Sequence, residues 1–205
     1  MKLLFATANK GKLREAGEIL GPECTVVSPA SLGMDADVEE NGSTLEENSR
    51  IKAEAINAAS GMDCFADDTG LEVEALGGAP GVLSARYAAS FPGGCASHDS
   101  EANMARLLEE LDKLGPGASR RARFRTVVTL VLGTESYVFE GQVDGYIARE
   151  RSGSGGFGYD PIFVPDGFGG RTMADISEEE KNSISHRGRA LRAMAAFLRT
   201  QDTED

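Results

Sequence analysis

Tryptophan is absent from this 205-residue chain, and cysteine (three), histidine (two) and proline (seven) are sparse. Cys24, Cys64 and Cys95 are odd in number, far apart and outside any C-x-x-C pair. That pattern argues against a cysteine-based zinc or redox centre and points to a reducing compartment. No apolar run nears the roughly 18 residues that span a bilayer. The opening Met1-Lys2-Leu3-Leu4-Phe5-Ala6-Thr7 turns polar at Asn9-Lys10, too soon for a secretory leader, so a cytoplasmic protein is expected. Positive charge is also short: 21 Lys and Arg stand against 33 Asp and Glu, a net charge of −12. Such a field repels phosphate, which argues against a nucleic-acid or membrane partner. Any phosphate chemistry must therefore rely on a few placed cations and a metal ion. The P-loop pattern G-x-x-x-x-G-K-[ST] is missing, which counts against a kinase or ATPase of that type.

What is present suits one soluble globular domain of residues 1–205, built from two lobes, with 40% apolar and 26% charged residues. Leu3 to Ala6 reads as a buried first strand. Leu13, Ala16, Gly17 and Leu20 then recur at helical spacing until Gly21-Pro22. Ser43-Thr44-Leu45-Glu46 has capping-box spacing, and Ile51, Ala55, Ala58 and Ala59 form the stripe of a second helix starting near residue 44. Cys64-Phe65-Ala66 predicts a short strand whose C-terminal end carries Asp67 and Asp68, the place where open α/β sheets bind ligands. A third helix follows from Met104, Leu107, Leu108 and Leu111. Alternation from Ala122 to Leu132, a turn at Gly133-Thr134-Glu135 and a strand Ser136 to Phe139 predict a hairpin. Gly153 to Gly158 reads as a loop in close backbone contact with a neighbour rather than a linker. Leu191, Met194, Ala195 and Leu198 mark a last helix, with Thr200 to Asp205 as a frayed acidic tail. Helices alternating with strands, one pair of them antiparallel, define an α/β class with a central mixed sheet and flanking helices.

Thr7-Ala8-Asn9-Lys10-Gly11-Lys12 joins the first strand to the first helix, where free N–H groups and the helix dipole favour an anion. The same residues also read as an Asn-capped helix with solvated lysines. Asp67 and Asp68 repel each other, a cost that a bound Mg²⁺ would relieve, or they read simply as an acidic turn capped by Thr69-Gly70. Neighbouring strand residues point to opposite faces, so one of the two faces the site and the other anchors the loop, and alternation leaves open which. Glu39-Glu40-Asn41-Gly42 offers a second acidic turn, while Glu46 and Glu47 already serve a helix dipole. Lys181, His186 and Arg187 place three cations after Glu178-Glu179-Glu180, suited to phosphate or a base carbonyl, or simply balancing the triple Glu. Phe157 and Tyr159 can stack on a base or fill a core.

Taken in order, these segments resemble the inosine triphosphate pyrophosphatase family, also called dITP/XTP diphosphatases, over nearly the whole chain. The resemblance rests on Thr7-Ala8-Asn9-x-x-Lys12, Glu40-Asn41-Gly42-x-Thr44-x-x-Glu47-Asn48, Ala66-Asp67-Asp68-Thr69-Gly70-Leu71 and Leu76-Gly77-Gly78-Ala79-Pro80-Gly81. It continues through Ser84-Ala85-Arg86-Tyr87, Gly155-Gly156-Phe157-Gly158-Tyr159-Asp160-Pro161 and Glu180-Lys181-Asn182-x-Ile184-Ser185-His186-Arg187. Thr69 stands where many members have Ser, which keeps the hydroxyl. The resemblance implies an elongated sheet with two lobes around a cleft, a homodimer, and hydrolysis of ITP, dITP and XTP to monophosphate and pyrophosphate. It also implies Mg²⁺ carboxylates at Glu40 and Asp68, with Asp68 as proton acceptor. Substrate contacts are implied at Thr7, Ala8, Asn9, Lys10, Gly11, Lys12, Thr69, Phe157, Gly158, Tyr159, Asp160, Lys181, His186 and Arg187.

Overall fold

The computed structural model describes residues 1–22, 24–35, 38–93 and 96–201; Cys95 and the tail residues 202–205 lie outside this range. In chain order the elements are β1 (Lys2–Phe5), α1 (Lys10–Leu20), β2 (Thr25–Val27), α2 (Leu45–Ser60), β3 (Cys64–Val73) and β4 (Pro80–Gly81). They continue with α3 (Ser100–Lys113), β5 (Arg121–Leu132), β6 (Glu135–Ile147), β7 (Phe163–Pro165), α4 (Glu178–Ser183) and α5 (His186–Gln201). The strands follow the order β2-β1-β3-β5-β6-β7, with β4 beside β3. β1 runs parallel to β2 and β3, whereas β4 and β7 pair antiparallel with β3 and β6, so the fold is a mixed α/β sheet with flanking helices. Among the described residues no helix is long and apolar enough to cross a membrane.

Two compact units divide the chain: residues 1–68, 126–141 and 186–205 form the first, and residues 69–125 and 142–185 the second. In the first unit β1 is buried on both faces, which is why its apolar run is continuous instead of alternating. Leu3 and Phe5 pack with Ala16, Leu20, Leu130, Leu191 and Met194, while Leu4 and Ala6 pack with Ala53, Ile56 and Val131. The Phe5 and Phe65 rings stack at 4.3 Å. Full burial of such a side chain stabilises by about 1.5–3 kcal/mol. The second unit is built around Leu71, Leu107, Leu111, Val143, Ile162 and Phe163.

Several sequence expectations change here. β3 does not stop at Ala66; it continues through Asp67 and Asp68 to Val73, so the two carboxylates are mid-strand residues rather than a strand end. Strand β6 extends past Phe139 to Ile147, because β7 pairs with its second half. The cap of α2 sits one residue later than the Ser43 register: Thr44 accepts from Glu47 N, and Glu47 Oε2 accepts from both N and Oγ of Ser43. Its buried face is also different. Leu45, Asn48, Ser49, Ala53 and Ile56 turn inward, while Ala55, Ala58 and Ala59 are exposed. Alanines marked the wrong stripe because the inward face carries polar residues with partners of their own. Thr200 and Gln201, read as frayed, belong to α5. Cys24 and Cys64 are free and buried, and burial pushes the Cys64 thiol up to about 12.

Candidate active site

Residues of α1, α2 and the turn before it, β3 and α5 build a charged constellation in the first unit. The two central aspartates point to opposite sides of β3, as alternation requires. Asp67 is 2% exposed and takes Lys12 Nζ on Oδ1 and Arg187 Nε on Oδ2, both at 2.8 Å. Burial alone would raise its pKa, but Lys12 and Arg187 overcome that penalty and hold it well below the usual carboxylate range. Arg187 also donates to Glu15 at 3.1 Å, so one guanidinium ties α5 to both β3 and α1. Asp67 is therefore the anchor of the pair.

Asp68 faces another environment. Lys52 Nζ lies 3.6 Å from its Oδ1 and 2.8 Å from Glu40 Oε1, so one ammonium is held between two carboxylates. Burial raises the pKa of Asp68; Lys52 opposes this, and Glu40 adds to it. For Lys52, burial works against the charge, but Asp68 and then Glu40 more than compensate, and its pKa rises. Glu40 is brought to Asp68 by the turn before α2. There Gly42 N donates to Asn48 Oδ1 at 2.8 Å.

The loop from Thr7 to Lys12 is in part the Asn-capped helix that its sequence allowed. Thr7 Oγ1 accepts from Asn9 N, and Asn9 Oδ1 accepts from the Gly11 and Lys12 N–H groups at 2.8 and 3.1 Å. Ala8 and Lys10 are exposed, whereas Lys12 turns inward to Asp67 instead of being solvated. At the start of α5, His186 Nδ1 lies 2.6 Å from Thr126 Oγ1 on β5. A Cβ on Gly141 would stand 2.1 Å from the His186 carbonyl oxygen, so a glycine in β6 lets this helix start approach the strand.

In the second unit Asp160 organises the glycine-rich loop, with Oδ2 accepting Phe157 N at 2.8 Å and Lys181 Nζ at 2.6 Å. The Lys181 ammonium lies 5.2 Å from the centroid of the Phe157 ring, which is 76% exposed. Gly156 is essential here: its φ is +80°, and a Cβ would fall 2.2 Å from Asp160 Oδ2. Gly156→Ala should cost about 1–3 kcal/mol through backbone strain alone, readable by urea denaturation. Of the two readings open for Tyr159 the core one holds for its ring, which is buried, and its hydroxyl donates to Ser84 O at 2.8 Å. Phe157 alone of the two offers an exposed ring. Gly158 follows with φ +62°, and Thr69 opens this unit directly after Asp68.

Sequence reasoning gave no role to Lys52, Thr126 and Glu15, nor to Asn48, which it met only as part of a resemblance motif. The signal available for Lys52 and Asn48 was their i, i+4 spacing on the same helix face as Leu45, Ser49 and Ile56, where polar side chains demand partners.

Against this geometry, a family model described as the Ham1 family matches residues 3–197. The chain belongs to the Ham1 family. It is similar to a "dITP/XTP pyrophosphatase" of Christiangramia forsetii, 44% identical over 97% of this chain and 99% of that protein. Among solved structures, a Ham1 protein of Coxiella burnetii gives a TM-score of 0.87 at 35% identity, covering 98% of this chain and 99% of that one. The Staphylococcus aureus Ham1 protein gives 0.85 at 41% identity, over 98% and 100%. This Ham1 chain thus matches its relatives along essentially their full length.

Proposed function

We propose that this chain hydrolyses purine nucleoside triphosphates carrying hypoxanthine or xanthine (ITP, dITP and XTP) to the monophosphate and pyrophosphate, with Mg²⁺ held by Glu40 and Asp68. The observation that carries this reading is the Lys52 ammonium lodged between those two carboxylates. The two carboxylates already attract one positive charge between them, and both donors are hard oxygens of the kind Mg²⁺ takes. Among the described residues no cluster of three or more His, Cys, Asp or Glu could hold a metal unaided. That fits an ion which takes its remaining ligands from water and substrate phosphate. When bound, such an ion neutralises triphosphate charge and favours departure of pyrophosphate.

The chain's own groups then divide the work. Asp68, with its pKa raised by burial and by Glu40, is the better proton acceptor for the attacking water, since a base poised nearer neutrality takes a proton more effectively. Asp67 is locked in its ionised form by Lys12 and Arg187 and is unsuited to that role. Lys12 keeps two N–H donors beyond the one given to Asp67, and Lys181 likewise beyond Asp160, so both can donate to phosphate oxygens. His186 and Arg187 are assigned to the base side. A 6-oxo group accepts a hydrogen bond where adenine presents an amino donor, so ATP would leave a site donor unpaired. Phe157 supplies an exposed face for stacking.

Product analysis of a nucleoside triphosphate panel tests this. With Mg²⁺, ITP, dITP and XTP should give monophosphate and pyrophosphate ahead of ATP, and chelation should stop the reaction. Faster turnover of UTP or dTTP would point instead to a pyrimidine or modified-nucleotide pyrophosphatase. Release of orthophosphate and a diphosphate would point to an ATPase-like reaction. The proposal includes a cytoplasmic homodimer, which light scattering would read as twice the 21.7 kDa chain mass.

A further inference from the structure

Asn48 is fully buried on the inward face of α2, an expensive place for a side-chain amide. Its Oδ1 is engaged by Gly42 N at 2.8 Å, in the turn that carries Glu40 two residues earlier. The fit is close: a Cβ on Gly42 would stand 2.7 Å from both Asn48 Oδ1 and Glu47 Cβ. The other end of the amide, Nδ2, is also buried and makes no hydrogen bond of normal length, and the amide lies near enough to Asp68 to favour that group's charged form. One helix turn later on the same face, Lys52 reaches Glu40 and Asp68. The amide of Asn48 thus ties the turn that bears Glu40 to α2, one helix turn from the lysine that reaches both Glu40 and Asp68.

We infer that Asn48 is a positioning residue: by clamping the Gly42 N–H it fixes Glu40 opposite Asp68 and so sets the affinity of that pair for a divalent cation. The inference rests on the proposed assignment of Glu40 and Asp68 as metal carboxylates. Groups that orient metal ligands from behind typically control affinity by about 10–100-fold. Gly42 is a glycine for the same reason, since any side chain there would push the turn off the amide.

The test is Mn²⁺ binding to the nucleotide-free protein, followed by electron paramagnetic resonance, alongside the Mg²⁺ dependence of ITP turnover. Asn48→Leu keeps the volume and removes the acceptor. It should weaken Mn²⁺ binding and raise the half-saturating Mg²⁺ by the same ~10–100-fold, with turnover recovering at high Mg²⁺ and the nucleotide KM under saturating metal little changed. Gly42→Ala leaves Asn48 itself in place but pushes the turn off its amide and off Glu47, and should do the same if the buried variant fails to fold. Asn48→Asp, which retains an acceptor for Gly42 N, should bind Mn²⁺ no more weakly than the parent. A Glu40→Gln control separates the two ideas. If it weakens Mn²⁺ binding while Asn48→Leu and Gly42→Ala do not, the positioning role is wrong and the metal assignment stands. If Glu40→Gln leaves binding unchanged, the metal assignment fails and this inference falls with it. Loss of Mn²⁺ in Asn48→Asp equal to that in Asn48→Leu would also overturn the clamping route.

Discussion

Asp68→Asn should lower ITP turnover by about 10³-fold or more, since it removes both a proton acceptor and a metal oxygen, and general-base removal alone costs about 10²–10⁴. The protein should remain folded, and the sign of the pKa shift says why. An aspartate whose folded pKa is raised destabilises the native state at pH values where it is ionised, and the cost disappears only as pH falls through that raised value. An amide in its place carries no such charge, so the melting temperature in metal-free buffer at neutral pH should be unchanged or higher. Pyrophosphate release and a thermal melt on the same preparation check both halves. A variant that turns over ITP at the parental rate would remove Asp68 from the mechanism, whatever its stability.

Asp67→Asn should have the opposite profile, with a large loss of stability. Asp67 is the buried anion between Lys12 and Arg187, and removing one member of a buried charge cluster leaves the others uncompensated, typically at a cost of about 3–5 kcal/mol. Here the folded pKa is depressed. Its contribution is therefore complete above the ordinary Asp value near 3.9 and is lost only as pH falls below that towards the depressed native value. The deficit of the variant measured in urea should be constant from about pH 5 to 8 and should shrink in stronger acid, where the parent loses the same term. A deficit that instead grew towards low pH would contradict the assignment of Asp67 as the ionised anchor.

The contrast between these adjacent residues shows where sequence reading reached its end. Alternation along a strand already says that Asp67 and Asp68 face opposite ways, but not which way each one points. That depends on which elements flank β3: α1 and α5 supply Lys12 and Arg187 to one side, and α2 supplies Lys52 to the other. The same limit applies to α2. A hydrophobic stripe is a sound guide only when the buried face is apolar, and here Asn48 and Ser49 are buried because Gly42, six residues back, and Thr129, 80 residues on, provide their partners. Phe157 and Tyr159 are equivalent by composition, yet the reach of one hydroxyl to Ser84 O makes Tyr159 part of the core.

Local patterns, which depend on neighbours a few residues away, determined much by themselves. They include the first strand, the helix of the 10–20 region and the 191–198 stretch of the last helix, the hairpin turn at Gly133, the close-packed glycine loop, and the ordered motifs that carry the family resemblance. Their physics is periodicity, capping and turn geometry, all short in range. Only the tertiary structure decided that β3 continues through both aspartates, that Lys52 bridges Glu40 and Asp68 while Asn48 holds Gly42, and that Arg187 clasps Asp67 and Glu15. Those facts depend on charges 12 to 172 positions apart being brought to within hydrogen-bonding or ion-pair distance, as from Glu40 to Lys52 and from Glu15 to Arg187. Electrostatic energy follows separation in space, and separation in space is a property of the fold.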